Sequence, residues 1–377
     1  MIADEQMLRP QRQKERREEE KFFVASQWQL IRWRFMRHRV AAFSLLVLVI
    51  LYLMAICSEF FAPYPSDAYD VDYVLAPPQR IHWVDQGRLR PFVYGYTSEL
   101  DAKTFRTTYK VDETQKHPLE FFVKGEPYKL FGLWESDRRL FGVQGGKIFI
   151  FGADERGRDL FSRIIYGARI SLSIGLVGIA ISSLIGVVIG GVSGYFGGLT
   201  DVIIQRVIEF IRSIPTLPLW MALSVALPPT WSMVQVYFGI VMILSLVGWT
   251  GLARVVRGKF LSLREEDFVM AAQLNGATER TIIFRHLLPL FYSHIIASLT
   301  LSVPGMILGE TALSFIGLGL QPPAVSWGVL LKDSQRIRVL AEAPWLLIPA
   351  LFVIVTILAF NFVGDGLRDA ADPYATV

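Results

Sequence analysis

The chain has 377 residues, 52% of them hydrophobic and only 19% charged, with a modest formal net charge of +4. That balance excludes an average water-soluble domain. Its single cysteine, Cys57, excludes an intramolecular disulfide.

Residues 1–21 are almost all polar, and the run KERREEEK from Lys14 to Lys21 mixes charge signs. It reads as disordered chain or a solvated helix. From Phe22 to Arg39 the pattern turns aromatic and basic, with Trp28, Trp33 and Phe35 among Arg32, Arg34, Arg37 and Arg39. Elsewhere such a mixture suggests nucleic acid; beside an apolar run it predicts an interfacial helix with tryptophans at headgroup level. The apolar run begins near Val40, behind charged residues and with no small-residue cleavage site after it, so no cleavable signal peptide is expected.

Six apolar stretches approach the ~20 residues that cross a bilayer. They are placed at Val40–Phe61, Ile170–Val192, Val202–Leu227, Val236–Val256, Leu290–Leu313 and Trp345–Val363. The second is rich in glycine and serine, which permits close helix packing. The third carries Arg206 and Glu209 at i,i+3 and ends at Pro228-Pro229, and the fifth contains Pro304. Residues 62–152, between the first two stretches, are polar, aromatic and punctuated by proline. The pieces FFVKG and KIFIFG within them suggest short strands.

Between the fourth and fifth stretches lies Phe268–Pro289, FVMAAQLNGATERTIIFRHLLP. Ser262 and Glu265 are spaced as a capping box, predicting a helix from about Leu263. Asn275-Gly276 predicts its end, and Thr278 the cap of a second helix reaching Pro289. Phe268, Ala271, Ala272 and Leu274 fall on one side of the first helix, where small alanines let another surface approach. Basic residues decide orientation. They crowd the segment before the first span and the loop after the fourth (Arg257, Lys259, Arg264, Arg280, Arg285), while residues 228–235 carry none. Both termini and this loop are therefore expected in the cytoplasm, and residues 62–152 outside.

The loop resembles the EAA loop of ABC importer permeases, and its wording resembles the oligopeptide/dipeptide permease family. Further resemblances follow in family order: FGADERGRDLFSRIIYGARISL from Phe151, the pattern from Gly194 through Leu219, LGETALSFIGLGLQPPAVSWGVLL from Leu308, and NFVGDGLRDAADP from Asn361. The match is to the second, C-type membrane subunit. The resemblance implies an all-α integral membrane protein with six transmembrane helices. It implies a heterodimer with a B-type permease, two ATPase subunits or a fused pair, and an extracytoplasmic binding protein, in a bacterial or archaeal cytoplasmic membrane. It also implies that Phe268, Ala271, Ala272, Leu274, Gly276, His286, Leu288 and Pro289 couple the pore to the ATPase. Met270 stands where the wider family has a glutamate, removing one possible ion pair, and His286 where it has isoleucine. Short relatives pass almost directly from the segment ending at Trp83 to the GADERGRD segment; here residues 84–148 intervene. The division expected is 1–39 tail and interfacial helix, 40–61 first span, 62–152 extracytoplasmic module, and 153–377 permease core with coupling loop 257–289. The module is expected to meet the binding protein or substrate, with a passive cover as the alternative.

No G-x-x-x-x-G-K-[ST] occurs: Gly145-Gly146-Lys147 is followed by Ile148 and Gly258-Lys259 by Phe260. The phosphate cradle, with its ATP and magnesium, is expected on partner subunits. The five histidines are scattered, so neither a metal site nor an enzyme is expected, and no cofactor on this chain. The competing class is an ion-coupled secondary transporter, for which Glu209, Glu310 and Asp365 are the available acids. Glu310, Trp220 and Trp249 are candidates for the translocation path or for helix packing. The substrate is expected to be a peptide or peptide-like solute; oligosaccharides, opines and metal chelates travel through similar machinery.

Overall fold

The computed structural model describes residues 26–101, 106–130 and 133–371. The expected tail before Ser26 and the last residues of the NFVGDGLRDAADP stretch lie outside them. Ser26 and Gln29 exchange side-chain and backbone hydrogen bonds, a capping box that starts α1, Gln27–Arg37. His38 Nδ1 then accepts from Ala41 N at 3.1 Å and opens α2, Arg39–Ile56. The expected first span does not run unbroken to Phe61: it stops at Ile56, and Ser58–Phe61 form a separate turn, α3.

Among the described residues five helices are long and apolar enough to cross a membrane: Arg39–Ile56, Leu160–Phe196, Met233–Leu263, Tyr292–Ile316 and Pro344–Ala371. The second, α4, begins at Leu160 rather than Ile170 because Asp159 caps it, accepting from Ser162 N at 2.7 Å and Ser162 Oγ at 2.6 Å. The expected third span, Val202–Leu227, is instead two helices, α5 (Gly198–Ser213) and α6 (Thr216–Val225). Pro215 is the cause. It forces Ile214 into extended backbone (φ −85°, ψ 128°) and has no N–H to continue the ladder. Neither piece alone has the length of a span.

Next come α7 (Met233–Leu263), α8 (Asp267–Leu274), α9 (Tyr292–Ile316), α10 (Trp327–Lys332), α11 (Ile337–Glu342) and α12 (Ile348–Ala371). The seam between α4 and α7 is made of glycines. A Cβ on Gly190 would stand 2.9 Å from Ala253 Cα, and one on Gly194 would stand 2.7 Å from Arg257 O. Backbone therefore meets backbone, the small-residue packing of apolar helices. Gly178 faces Ser245 and Gly194 faces Phe260, so α4 and α7 run in the same direction. The chain between them, α5 and α6, must return along the bundle.

The bundle has two distinct ends. At one, Arg169 binds Ala55 O and Ile56 O, and Trp345 Nε1 donates to Ala153 O at 3.0 Å. At the other, Gly366 lies against Ala41 and Phe35, and Phe260 meets Phe291 edge-on at 5.6 Å. Thus α1, the end of α12 and the connector after α7 share one end.

The inserted segment occupies the opposite end. It is an antiparallel meander of β1 (His82–Asp85), β2 (Arg88–Asp101), β3 (Arg106–Leu130) and β4 (Trp134–Val143), in that order. All-α therefore describes the bundle but not this module. β3 is one long strand serving two hairpins: Arg106–Pro118 pairs with β2, and Leu119–Leu130 with β4. The two hairpins consequently extend in opposite directions from the middle of β3. Of the two short strands expected, Phe121–Gly125 lies inside β3, but residues 147–152 form no strand. Their N–H groups are taken by side chains instead: Ile148 N donates to Tyr64 Oη at 2.8 Å, and Phe149 N to Gln79 Oε1 at 2.7 Å.

Candidate functional site

The connector between α7 and α9 is a braced platform. The expected capping box of Ser262 and Glu265 does not form, because α7 continues through both Phe260 and Ser262 to Leu263, with Phe260 buried against the α4 glycines. A capping serine needs extended backbone, and the packed helix denies it. α8 starts at Asp267 after Glu266, with no side-chain cap. Its end is as expected. Ala277 N bonds to Ala272 O at 3.0 Å and Gly276 N to Gln273 O at 2.9 Å, the paired bonds of a Schellman cap. Gly276 has φ +76°, which glycine tolerates at no steric cost. Thr278 Oγ1 accepts from Thr281 N at 3.3 Å and opens the next turn. Residues Ile282–Leu287 then widen into a π-helical turn ahead of Pro289, which cannot donate to the turn before it.

Val269 is fully buried and pins α8 into a cluster with Val256, Phe260, Ile282, Leu287 and Phe291. Ala272 and Ala277 lean on the same cluster. The opposite face is open: Phe268, Met270 and Ala271 are exposed, and Leu274 is 90% exposed. The four residues expected on one side therefore divide. Phe268, Ala271 and Leu274 share the free face, while Ala272 turns inward. His286 is half-buried, Leu288 buried and Pro289 exposed. A row of apolar side chains on a rigid support is a surface shaped to be covered.

Sequence reasoning missed how this platform is tied to the start of α5. Arg257 Nε and Nη2 each lie 2.5 Å from Asp201 Oδ1 and Oδ2, a bidentate pair joining α7 to α5. Asp201 was visible only as one letter of a motif, and its partner lies far away in the chain.

The two tryptophans separate as well. Trp249 is buried in a cluster with Ile208 and Ala253, so it packs. Trp220 lies on Gly309 and lines a cleft of 330 Å³ together with Arg212, Leu244, Ser302 and Gly305. Its indole Nε1 is buried without a partner.

Glu310 is fully buried in α9. Oε1 accepts from Ser314 Oγ at 2.8 Å and Ser326 Oγ at 2.7 Å, and Oε2 from Ser171 Oγ at 3.3 Å. Those serines in turn accept from Leu320 N, Val329 N and Trp327 N. Trp327 also donates its Nε1 to Ile164 O at 3.0 Å. Two stretches far apart in sequence, around Ser171 and from Leu308 onward, thus meet at one carboxylate. The acids named for an ion relay do not converge: Glu209 pairs with Arg206 at 2.8 Å on an exposed face, and Asp365 lies beside Arg368 and His38 at the connector end.

A family profile described as "Binding-protein-dependent transport system inner membrane component" matches residues 186–376, and one described as "N-terminal TM domain of oligopeptide transport permease C" matches residues 26–78. Most of the inserted module falls between them. Similar chains include the oligopeptide transport system permease protein OppC of Haemophilus influenzae, 44% identical over 59% of this chain and 70% of that one. The dipeptide transport system permease protein DppC of Bacillus subtilis is 44% identical over 59% of this chain and 68% of its own length. DppC of Lactococcus lactis is 33% identical over 91% of this chain and 89% of that one.

Proposed function

Because this chain belongs to the binding-protein-dependent transport permeases, among the oligopeptide and dipeptide permeases, we propose that it is one membrane half of an ATP-driven importer whose cargo is a peptide. Its partners are a second, B-type permease, two ATPase subunits that bind ATP and magnesium, and a binding protein that delivers the cargo. No catalytic step belongs to this chain.

The observation that carries the reading is the free face of α8, Phe268–Ala271–Leu274, held on a buried footing of Val269 and closed by the Gly276 cap. An ATPase cleft that receives this face moves α7 and α9 together, because Phe260 and Phe291 interlock beneath it. Rigid-body coupling needs such a contiguous packed connection.

The α8 end of the bundle lies in the cytoplasm, since its arginines and lysines favour that side, and the β module lies outside. α5 and α6 together supply the sixth crossing, broken at Pro215. The cleft beside Trp220 is this chain's share of the path, completed by the partner permease. The tail with its interfacial helix then runs to His38, the first span covers Arg39–Ile56, residues 62–152 are the outer module, and 153–377 are the core, with the coupling connector following Leu263.

Vesicles holding the complete complex test this. Uptake of a labelled oligopeptide should require ATP on the α8 side and binding protein on the module side. Uptake driven by a proton gradient without ATP would replace this reading with an ion-coupled transporter.

A further inference from the structure

The second hairpin of the module, β3–β4, points back toward the bundle. Its base packs on the start of α4, with Phe141 edge-on to Phe161 at 5.6 Å. Midway, the buried Arg139 fastens it to α3, the turn after the first span, its Nη1 donating to Glu59 O at 3.2 Å and Ala62 O at 2.8 Å. Phe122 reaches Phe60 on the same turn, with ring centroids 6.2 Å apart. Past these anchors the hairpin continues to Lys129 and Trp134.

Lys129 lines a groove of 500 Å³ whose floor is Tyr52 and Ala55 from α2 with Leu172 and Leu176 from α4. Both helices are candidate spans, so Lys129 lies beside the last turn of α2 and beside the stretch of α4 from Leu172 to Leu176. Leu133 and Trp134 at the tip are 75% and 66% exposed. The groove combines an apolar floor with a rim carrying Lys129, Arg169 and Glu59. Arg169 is bound bidentately by Glu59, at 2.8 and 2.7 Å. Lys129 makes only an exposed pair with Glu135, 3.0 Å away, and such pairs exchange readily for a better anion. The Tyr52 hydroxyl is buried with no partner. An apolar trough ending in an available cation matches an acyl chain that ends in a phosphate. Exposed tryptophan and leucine beside it match the interfacial layer of a bilayer.

We propose that the β3–β4 hairpin is a membrane-contacting finger, and that a phospholipid of the leaflet on the module's side occupies the groove between α2 and α4, its phosphate at Lys129. The module is then oriented by lipid as well as by protein. The inference goes beyond the importer assignment and does not depend on it, since it concerns only the leaflet nearest the module.

The test uses the complete complex in bilayer nanodiscs. Cys57→Ser removes the native thiol, and Leu133→Cys or Ser98→Cys carries a bimane label; Ser98 lies in the other hairpin. With phosphatidylglycerol bearing a spin label high on the acyl chain, emission at position 133 should fall at least twofold while position 98 is unchanged. An equal fractional change in emission at both positions overturns the finger. So does an absence of lipid quenching at 133 together with an emission change there only when the binding protein is added, which would make this end of the hairpin a protein dock. Lys129→Glu should lower phosphatidylglycerol retained through detergent purification, read by native mass spectrometry, at least threefold relative to Lys124→Glu. Inorganic phosphate at millimolar concentration should not displace it. Equal retention by the two variants, or displacement by phosphate, overturns the groove as a lipid site. Orientation is read separately, by labelling intact cells, so an inverted topology would not be mistaken for failure of this proposal.

Discussion

Glu310 engages both carboxylate oxygens with serine hydroxyls from three places in the chain, which makes it a fastener between α4, α9 and α10. Glu310→Gln keeps the shape and an acceptor toward Ser314 and Ser326, so uptake of charged and neutral peptides should stay near normal. Selective loss of amine-bearing substrates would instead place it on the path. Glu310→Leu strands three buried hydroxyls at roughly 1–3 kcal/mol each, and should lower the thermal stability and yield of the complex. Asp159 shows the opposite balance. Burial pushes its carboxyl up to about 7 despite the Ser162 hydrogen bonds, and its Oδ1 has no partner. Because its folded value lies above the unfolded one of ~3.9, the folded state holds its proton longer. The contribution of this one group to stability should therefore be complete below about pH 4, fall by on the order of 1 kcal/mol per pH unit toward 7, and level off above. Asp159→Asn keeps the cap and should flatten that fall. Thermal melts of the solubilised complex from pH 4 to 8 check it; a slope unchanged in the variant would contradict the assignment.

At the scale of elements, the glycine seam sets how α4 meets α7. Gly190→Val drives two methyls into the Ala253 backbone, an overpacking that costs about 1–3 kcal/mol or more. Assembled complex recovered from membranes should fall severalfold, whereas Gly258→Val, with open space around it, should be tolerated. Much of this level was legible in the chain. Apolar length found the five long helices, and Asn275-Gly276 and Thr278 found the two turns of the connector. What misled was chemistry decided at a distance. Ser262 could not cap because the α4 glycines hold Phe260 in helix, and Ile148 and Phe149 could not pair as a strand because Tyr64 and Gln79 bind their N–H groups. Pro215 was readable as a break, but 26 mainly apolar residues around it suggested one continuous span.

For the whole molecule, packed contacts run continuously from the α8 platform through the bundle to the β module. The motifs identified the platform from sequence alone. They did not show that Ala272 faces inward, or that Asp201 and Arg257 brace it, because both depend on the tertiary path. In the proposed importer the exposed side of α8 transmits ATP-driven motion to the pore. The direct measurement is peptide uptake and ATP hydrolysis in the same vesicles for the unaltered complex and for Ala271→Arg, which adds bulk and charge to the free face without touching the buried cluster. The variant should assemble and insert normally, yet import at less than a tenth of the normal rate, with hydrolysis no longer stimulated by loaded binding protein. Full import by a stably assembled Ala271→Arg complex would show that this face of α8 does not carry the coupling.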